Sequence, residues 1–522
     1  MESDKRMALD KISKEMIFDY YKYSIVLEPN SITASQNVIK YETKDSFIWL
    51  INPNNIELDI YSLEKLDNTN KYVYEIEGIW ACIIQNKLGN EFRAITSIQN
   101  ELPWYYSNEL KGIIANNIFL VTKLLKNIEI NHRAISSFLA FDFCYFGETF
   151  LKKIKKSYGG DILYLSNNNV KIIGCDLQKW LGFDGSISNR NLILEAFLNS
   201  VDKCLQDGYP QINLTGGSDS RAILAAALVS GRDFTLFTGT SSIVSKRDIH
   251  TAEVIAKIID KKHYEIDASD VNLDSIDSAI EKVAIQTNAE FTPRNWIIHY
   301  KEYVHDSDKV IHISRLKGYR GEYFKGFYKG PSGSVDSYFK RHSFFINQKY
   351  RAIIYELFRE RYLFYKNLSG INANELFYHR ERDNFWVSCN IRTHINYSKI
   401  YTPFSDNRLL SLGYRFTGGI KGCKLHEGAF ELLPPKLRNI PTSASQLTIY
   451  YHQLQKRFQK NKKHSIFLTA DYLQENIDYD LLSEVVQRKL IESLINQYRL
   501  KGLNSNFVHK MFAISYFYNL IK

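Results

Sequence analysis

Two hydrophobic periodicities divide the chain. From about residue 20 to 130, β-branched and aromatic runs alternate with clusters of Asn, Gly, Pro and Lys. YKYSIVLEP, SFIWLINP, KYVYEIEGIWACIIQN and EFRAITSI are such runs, and they predict strands separated by turns. LGNEF, starting at Leu88, predicts a hairpin turn between two of them. A helix is expected from Ala134 to Phe143. A strand pair is expected over DILYLSNNNVKIIG, with Ser166 to Asn169 as its turn. Residues 1–185 therefore read as one layered, β-rich α/β unit.

After Phe183 the pattern changes. Ile193, Phe197 and Val201 share one helical face, with Leu194 and Leu198 beside them. Ile212 and Leu214 end a short buried strand, and Ala222 to Leu228 is a helical run rich in Ala and Leu. RDFTLFTGTS (232–241) reads as a second strand, Asp248 to Ile259 as a helix and HYEID (263–267) as a third strand. This βαβαβ order predicts a doubly wound parallel sheet with ligands at the carboxyl ends of its strands. A long helical region is expected from Asp274 to His305, then a strand from Val310 to Ile313. Helices are expected over 331–400 and 446–522. The fold class is α/β: a β-rich layered domain at 1–185, then a doubly wound domain at 190–522 with a helical C-terminal part.

The loop between the Ile212 strand and its helix carries candidate chemistry. Gly216 and Gly217 let backbone N–H groups approach an anion, and the helix N-terminus favours negative charge there. Thr215, Ser218 and Ser220 add hydroxyl donors. Asp219 would repel phosphate unless a divalent cation lay between them, which points to Mg²⁺. The Walker spacing is absent, so this is not the common phosphate loop. A second glycine cluster, Gly318, Gly321, Gly326 and Gly330 with Glu322 among them, follows the strand expected near Val310. It suggests backbone close to a ligand.

Thr215-Gly216-Gly217-Ser218-Asp219-Ser220 resembles the Ser-Gly-Gly-x-Asp-Ser loop of the asparagine synthetase family, with Arg221 where Ser or Thr is more usual. Lys317-Gly318-Tyr319-Arg320-Gly321-Glu322 is similar to the second motif of that family's β-lactam synthetase branch. Tyr319 falls on its catalytic Tyr and Glu322 on its metal-binding Asp, while Lys317 and Arg320 depart from it and add positive charge. Glu381 and Asp383 lie where that branch places the Tyr's carboxylate partner. Lys424 best matches the lysine that stabilises leaving pyrophosphate, with Lys421 a rival and Leu433-Pro434-Pro435 the landmark. Asp406 and Arg408 match family residues that are structural. Gly78-Ile79-Trp80-Ala81, Pro103-Trp104-Tyr105-Tyr106 and the stretch Phe138 to Gly160 match the family's amidotransferase half loosely and in order.

The resemblance implies an Ntn-hydrolase-like, glutamine-amidotransferase-like domain at 1–185 and an ATP-pyrophosphatase synthetase domain at 190–522, of the adenine nucleotide alpha-hydrolase-like (PP-loop) type. It implies ATP and Mg²⁺ as cofactors. Leu214, Thr215, Gly216, Gly217, Asp219, Ser220, Thr238 and Gly318 would bind nucleotide. Asp219 and Glu322 would hold the metal, and Tyr319, Lys424 and Glu381 would be catalytic. Thr238 enters through the turn after the second strand, whose backbone would meet adenine. The family's glutaminase uses a cysteine directly after the initiator Met, whereas this chain begins Met1-Glu2-Ser3. The glutaminase is therefore expected to be silent. The implied activity is AMP-forming amide ligation: a small-molecule, peptide or sugar carboxylate is adenylated and coupled to an amine, in natural-product or surface-glycan biosynthesis. Ammonia-dependent asparagine synthesis and tRNA modification remain open as alternatives, as does a non-catalytic scaffold.

Bulk properties adjust this little. With 522 residues there is room for two or more domains. A net charge of +10 permits an acidic partner without selecting one. Nucleic acid is not expected as a partner, and a homodimer is the candidate assembly. The six cysteines form no CxxC pair and are expected to be reduced thiols. The basic run 456–464 is expected to be a solvated face. No secretory signal and no apolar run of membrane length is seen, so a soluble, cytoplasmic protein is expected.

Overall fold

Alternation along single strands sets the N-terminal architecture. In β5 (Ala81–Asn86), Ala81 and Ile83 face one core while Cys82 and Ile84 face another. A strand buried on both faces must lie between layers. In the computed structural model, residues 23–240, 246–267, 276–290, 313–325, 335–442 and 468–522 are described, together with Ile17. Within those ranges 29–30, 55–56, 67–72, 89–90, 109–111, 126 and 502–504 are left out. Gly326, Gly330, Val310, the expected helix beyond Glu290 and the basic run 456–464 lie outside the described residues.

Two antiparallel sheets make up the N-terminal part. The first joins β1 (Ile25–Glu28), β2 (Ser31–Ala34), β7 (Tyr105–Ser107), β8 (Ile113–Ala115) and β9 (Lys155–Lys156) in the order β2-β1-β8-β7-β9. The second joins β3 (Ile39–Glu42), β4 (Ser46–Ile51), β5, β6 (Phe92–Thr96), β10 (Ile162–Ser166) and β11 (Asn169–Ile173) in the order β11-β10-β6-β5-β4-β3. Ile25, Leu27 and Ile114 of the first sheet share a core with Ala81, Ile83, Ala94 and Leu163 of the second. The sheets therefore face each other. The expected hairpin at Ser166 to Asn169 forms, with Asn167 and Asn168 at φ 48° and 61°. Both central residues are left-handed, as a tight right-twisting hairpin requires.

The parallel sheet follows. Its strands are β12 (Tyr209–Asn213), β13 (Thr235–Thr240), β14 (His263–Asp267), β15 (Ile313–Leu316) and β16 (Lys399–Tyr401), in the order β14-β13-β12-β15-β16. Every pairing in it is parallel, with Ile212 opposite both Leu236 and Leu316. The fold is thus mixed α/β. β15 continues to Leu316, beyond the Ile313 end expected from sequence.

Helix limits shift where caps decide them. The helix expected from Ala134 to Phe143 runs His132–Phe141: Asn131 caps its start and Asp142, at φ 74°, ends it. The helix after the glycine loop begins at Ser218, two residues before Ser220 and Arg221, where the pattern opens it, and stops at Gly231 in the left-handed conformation. Arg190–Cys204 buries Ile193, Phe197 and Val201, the face the pattern marked. Residues 335–395 are largely helical, but Tyr378–Val387 is π-helical, which no 3.6-residue pattern foresees. All six cysteines are free thiols. Among the described residues no helix is long and apolar enough to cross a membrane.

Candidate functional site

The two glycine loops leave adjacent strands. β12 and β15 lie side by side, and the chain winds outward from β12 to β14 on one side and from β15 to β16 on the other. Connections diverge at such a reversal and leave a crevice beyond the strand ends. β13 holds the root of the first loop: Leu214 N–H donates to Phe237 O (2.9 Å) and Thr238 Oγ1 donates to Leu214 O (2.7 Å). Phe237 to Thr240, expected to form a turn after the strand, instead belongs to β13, with Thr238 opposite Glu265 of β14. Thr238 is fully buried, and its hydroxyl also meets His263 Nε2 at 2.8 Å, so this side chain braces the loop.

Three successive amides of the loop point at oxygen. Thr215 N–H donates to Ser220 Oγ (3.1 Å), Gly216 N–H to Asp248 Oδ1 (2.9 Å) and Gly217 N–H to Thr215 Oγ1 (3.1 Å). Three successive donors gathered at a helix N-terminus are the elements of an anion cradle. Asp248 starts the helix Lys246–Ile258, and its carboxylate already serves one of those donors.

Asp219 is where the two loops meet. A Cβ on Gly318 would lie 2.8 Å from Asp219 Cβ, and one on Gly321 would collide with the Asp219 carboxylate. Only glycine permits this approach. Lys325, at the end of the short helix Glu322–Lys325, donates from Nζ to Asp219 Oδ2 at 2.6 Å. His426 Nε2 meets Asp219 Oδ1 at 2.7 Å, and its ring stacks on Phe404 (centroids 5.3 Å, planes 13° apart). Burial pushes the Asp219 carboxyl up, but the His426 hydrogen bond and the Lys325 charge outweigh it and hold the group below its ordinary value. Glu322 moves the other way: burial and then the charge of Asp219 push it up to about 7.

The sign of that shift gives a pH prediction. A carboxyl raised on folding contributes stability that is fully present below its ordinary value of 4.5 and is lost as pH rises through about 7. Without divalent ions, Glu322→Gln is therefore expected to exceed the wild type in stability above about pH 7, with a flatter pH slope between those two values. Urea unfolding at several pH values checks this, and parallel slopes for the two proteins would contradict it.

Other expected residues are placed differently. Arg320, expected to add charge near phosphate, is wholly buried and binds Glu101 and Gln99 O of the N-terminal part together with Asp383, Ser388 and Ser405 of the C-terminal part. Lys317 is buried with its Nζ 3.0 Å from His394 Nε2 and 5.7 Å from the Tyr319 ring centroid. Tyr319 is half-buried against the core between the two antiparallel sheets. Glu381 has close partners of its own. The Glu381 carboxylate is enclosed by Tyr158 Oη (3.0 Å), Tyr365 Oη (2.7 Å) and Arg361. The π-helical backbone turns Glu381 into that cage. Asp383, the other candidate, is held by Arg320 and Tyr323. Asp406 is structural as expected, capping the helix Asn407–Tyr414 through Leu409 N–H.

Lys424 stands at the surface. It takes φ 52° before the helix Leu425–Glu431, its side chain is 50% exposed and its Nζ pairs with Glu427 at 2.9 Å. An exposed pair of this kind is worth about 0–1 kcal/mol. Lys424→Gln is therefore expected to keep turnover within about fivefold of wild type, a bound set by that energy. Pyrophosphate release measures it, and a hundredfold loss would restore Lys424 to the site. The groups on Asp219 are Lys325 and His426, which sequence matching missed. Both stand within three residues of matched positions, Glu322 and Lys424, and that adjacency was the signal that could have found them. Arg221 serves the fold instead of the loop's anion cradle. It donates to Ile440 O (2.6 Å) and Pro441 O (2.8 Å), tying the chain a few residues past Leu433-Pro434-Pro435 to the loop's helix.

Among the described residues no group of three or more His, Cys, Asp or Glu is arranged to hold a metal unaided. Asp219 and Glu322 supply two carboxylates, and their repulsion is visible in the raised Glu322. That donor set suits a hard divalent cation that keeps water and phosphate ligands. No protein-family model matches the chain, and no curated protein matches it either.

Proposed function

We infer that the chain is an ATP-dependent, AMP-forming amide ligase of the asparagine synthetase type, which adenylates a carboxylate, releases pyrophosphate and couples the acyl group to an amine. The observation that carries this reading is the convergence of Gly318 and Gly321 on Asp219 at the winding reversal of the parallel sheet. Two motifs matched separately in sequence form one locus. The 3-2-1-4-5 strand order supports a PP-loop assignment for 190–522. The facing antiparallel sheets support a degenerate, Ntn-like amidotransferase domain at 1–185.

In this reading the amides of Thr215, Gly216 and Gly217 exchange their internal acceptors for phosphate oxygens. Asp219 and Glu322 would hold Mg²⁺, which when bound supplies charge neutralisation for the phosphates. Leu214 and Thr238 keep the loop on β13, next to the backbone that would meet adenine. Tyr319, directly after Gly318, is the candidate group for taking a proton from the amine. A phenol is a weak base at neutral pH, and the Lys317 ammonium nearby would favour its ionised form. Coupling of a sugar, peptide or small-molecule acid in natural-product or surface-glycan biosynthesis fits this chemistry.

Product analysis tests the reading. The chain is incubated with ATP, Mg²⁺ and a panel of amino, N-acyl, peptide and sugar acids, with and without amines. AMP and pyrophosphate in equal amounts are expected. ADP and phosphate as the acid-dependent products would contradict it.

A further inference from the structure

Both oxygens of Asp219 are taken. Lys325 Nζ holds Oδ2 at 2.6 Å and His426 Nε2 holds Oδ1 at 2.7 Å. Each oxygen keeps a second lone pair, so a cation that binds this carboxylate either shares it with both of them or displaces one. The two differ in how they can respond. Lys325 is partly exposed and rides on a four-carbon stem with rotatable donors, so its ammonium can swing. His426 is 8% exposed and fixed by its stack on Phe404, and its Nδ1 is buried with no hydrogen-bond partner. A buried polar nitrogen left unmatched costs free energy and calls for an explanation. Lys424, matched in sequence as the pyrophosphate lysine, is half-exposed and pairs with Glu427 at the surface.

We propose that Lys325 and His426 are the pyrophosphate-binding pair of this site, held on Asp219 until a divalent cation and a polyphosphate arrive together. The proposal rests on the nucleotide reading above and names which side chains of this chain receive the β- and γ-phosphates. Charge decides the exchange. Lys325 on Asp219 neutralises the carboxylate. A divalent cation there repels the ammonium, and the nearest new anion is the polyphosphate. The same lysine thus competes with the metal and cooperates with the phosphates. A merely structural ion pair does neither.

Calorimetric titration of the full chain with Mg²⁺ alone, and with inorganic pyrophosphate in saturating Mg²⁺, tests this. Lys325→Met is expected to bind Mg²⁺ alone more tightly, by about threefold or more, and magnesium pyrophosphate more weakly, by about tenfold or more, the scale of one charge-assisted hydrogen bond. Lys325→Arg is expected to recover most of the pyrophosphate affinity. His426→Gln, which can still donate to Asp219, is expected to lose pyrophosphate affinity without gaining Mg²⁺ affinity. Lys325→Met that matches the wild type on both probes, or weakens both, overturns the proposal and leaves the nucleotide reading standing. A wild-type chain that binds neither magnesium pyrophosphate nor an ATP analogue overturns both.

Discussion

Asp219→Asn is expected to remove nearly all turnover, by on the order of 10²–10³ or more, while leaving the fold in place. The substitution preserves shape and changes only charge, so the close approach of Gly318 and Gly321 survives. The electrostatics of the site do not. Asp219 is the shared partner of Lys325 and His426, and its charge is part of what raises Glu322. Without it, Glu322 is expected to return toward its ordinary range and Lys325 to lose its anchor. One carboxylate, that of Glu322, would then remain to balance the charge of a divalent cation. The loss should appear in pyrophosphate formation at saturating Mg²⁺, and circular dichroism and melting temperature should stay near wild type. An Asp219→Asn protein with wild-type turnover would remove Asp219 from the chemistry.

Arg320→Met is expected to destabilise the protein by about 3–5 kcal/mol, the cost of breaking a buried ion pair from one side. Arg320 sits in the second loop at φ 73°, a conformation that costs a non-glycine residue about 1–2 kcal/mol. Its guanidinium compensates by engaging every branch. Nε donates to Asp383 (2.9 and 3.0 Å), one terminal nitrogen to Glu101 (2.5 Å) and Ser405 (3.0 Å), and the other to Gln99 O (3.1 Å) and Ser388 (2.9 Å). Removing it strands two buried carboxylates, one in each part of the chain. Arg320→Lys is expected to be nearly as damaging, because one ammonium cannot span that fork. Adding Glu101→Gln and Asp383→Asn to Arg320→Met should recover part of the loss. Denaturant unfolding measures all three, and an unaltered Arg320→Met protein would contradict the assignment. The same bonds tie the N-terminal part to the site, since Glu101 and Gln99 hold the loop that carries Gly318 and Tyr319.

Much of this was readable before the structure, and the parts that were not have physical reasons. Gly216-Gly217 followed by Asp219 marks a strand-to-helix anion loop locally, so position and chemistry travel together in sequence. The core faces at Ile193, Phe197 and Val201 were legible for the same reason, since periodicity is local. Lys325 and His426 were not, because they reach Asp219 across 106 and 207 residues. Their pairing depends on how β12 and β15 come to lie side by side. Lys424 takes a left-handed conformation before its helix and carries an exposed side chain, which no motif spacing records. Glu381 misled because the π-helical stretch Tyr378–Val387 shifts which side chains face inward. Arg320 was expected only to add positive charge near the phosphates. Its burial, and the carboxylate of Glu101 waiting in the other half of the chain, exist only once the two parts pack.

The most direct measurement is a titration of the full chain with α,β-methylene-ATP and Mg²⁺, an analogue that cannot be cut at the bond broken in AMP formation. One analogue per chain, bound only with Mg²⁺ and lost in Asp219→Asn, is the predicted result. A folded wild-type chain that binds none of it would contradict a nucleotide site at Asp219.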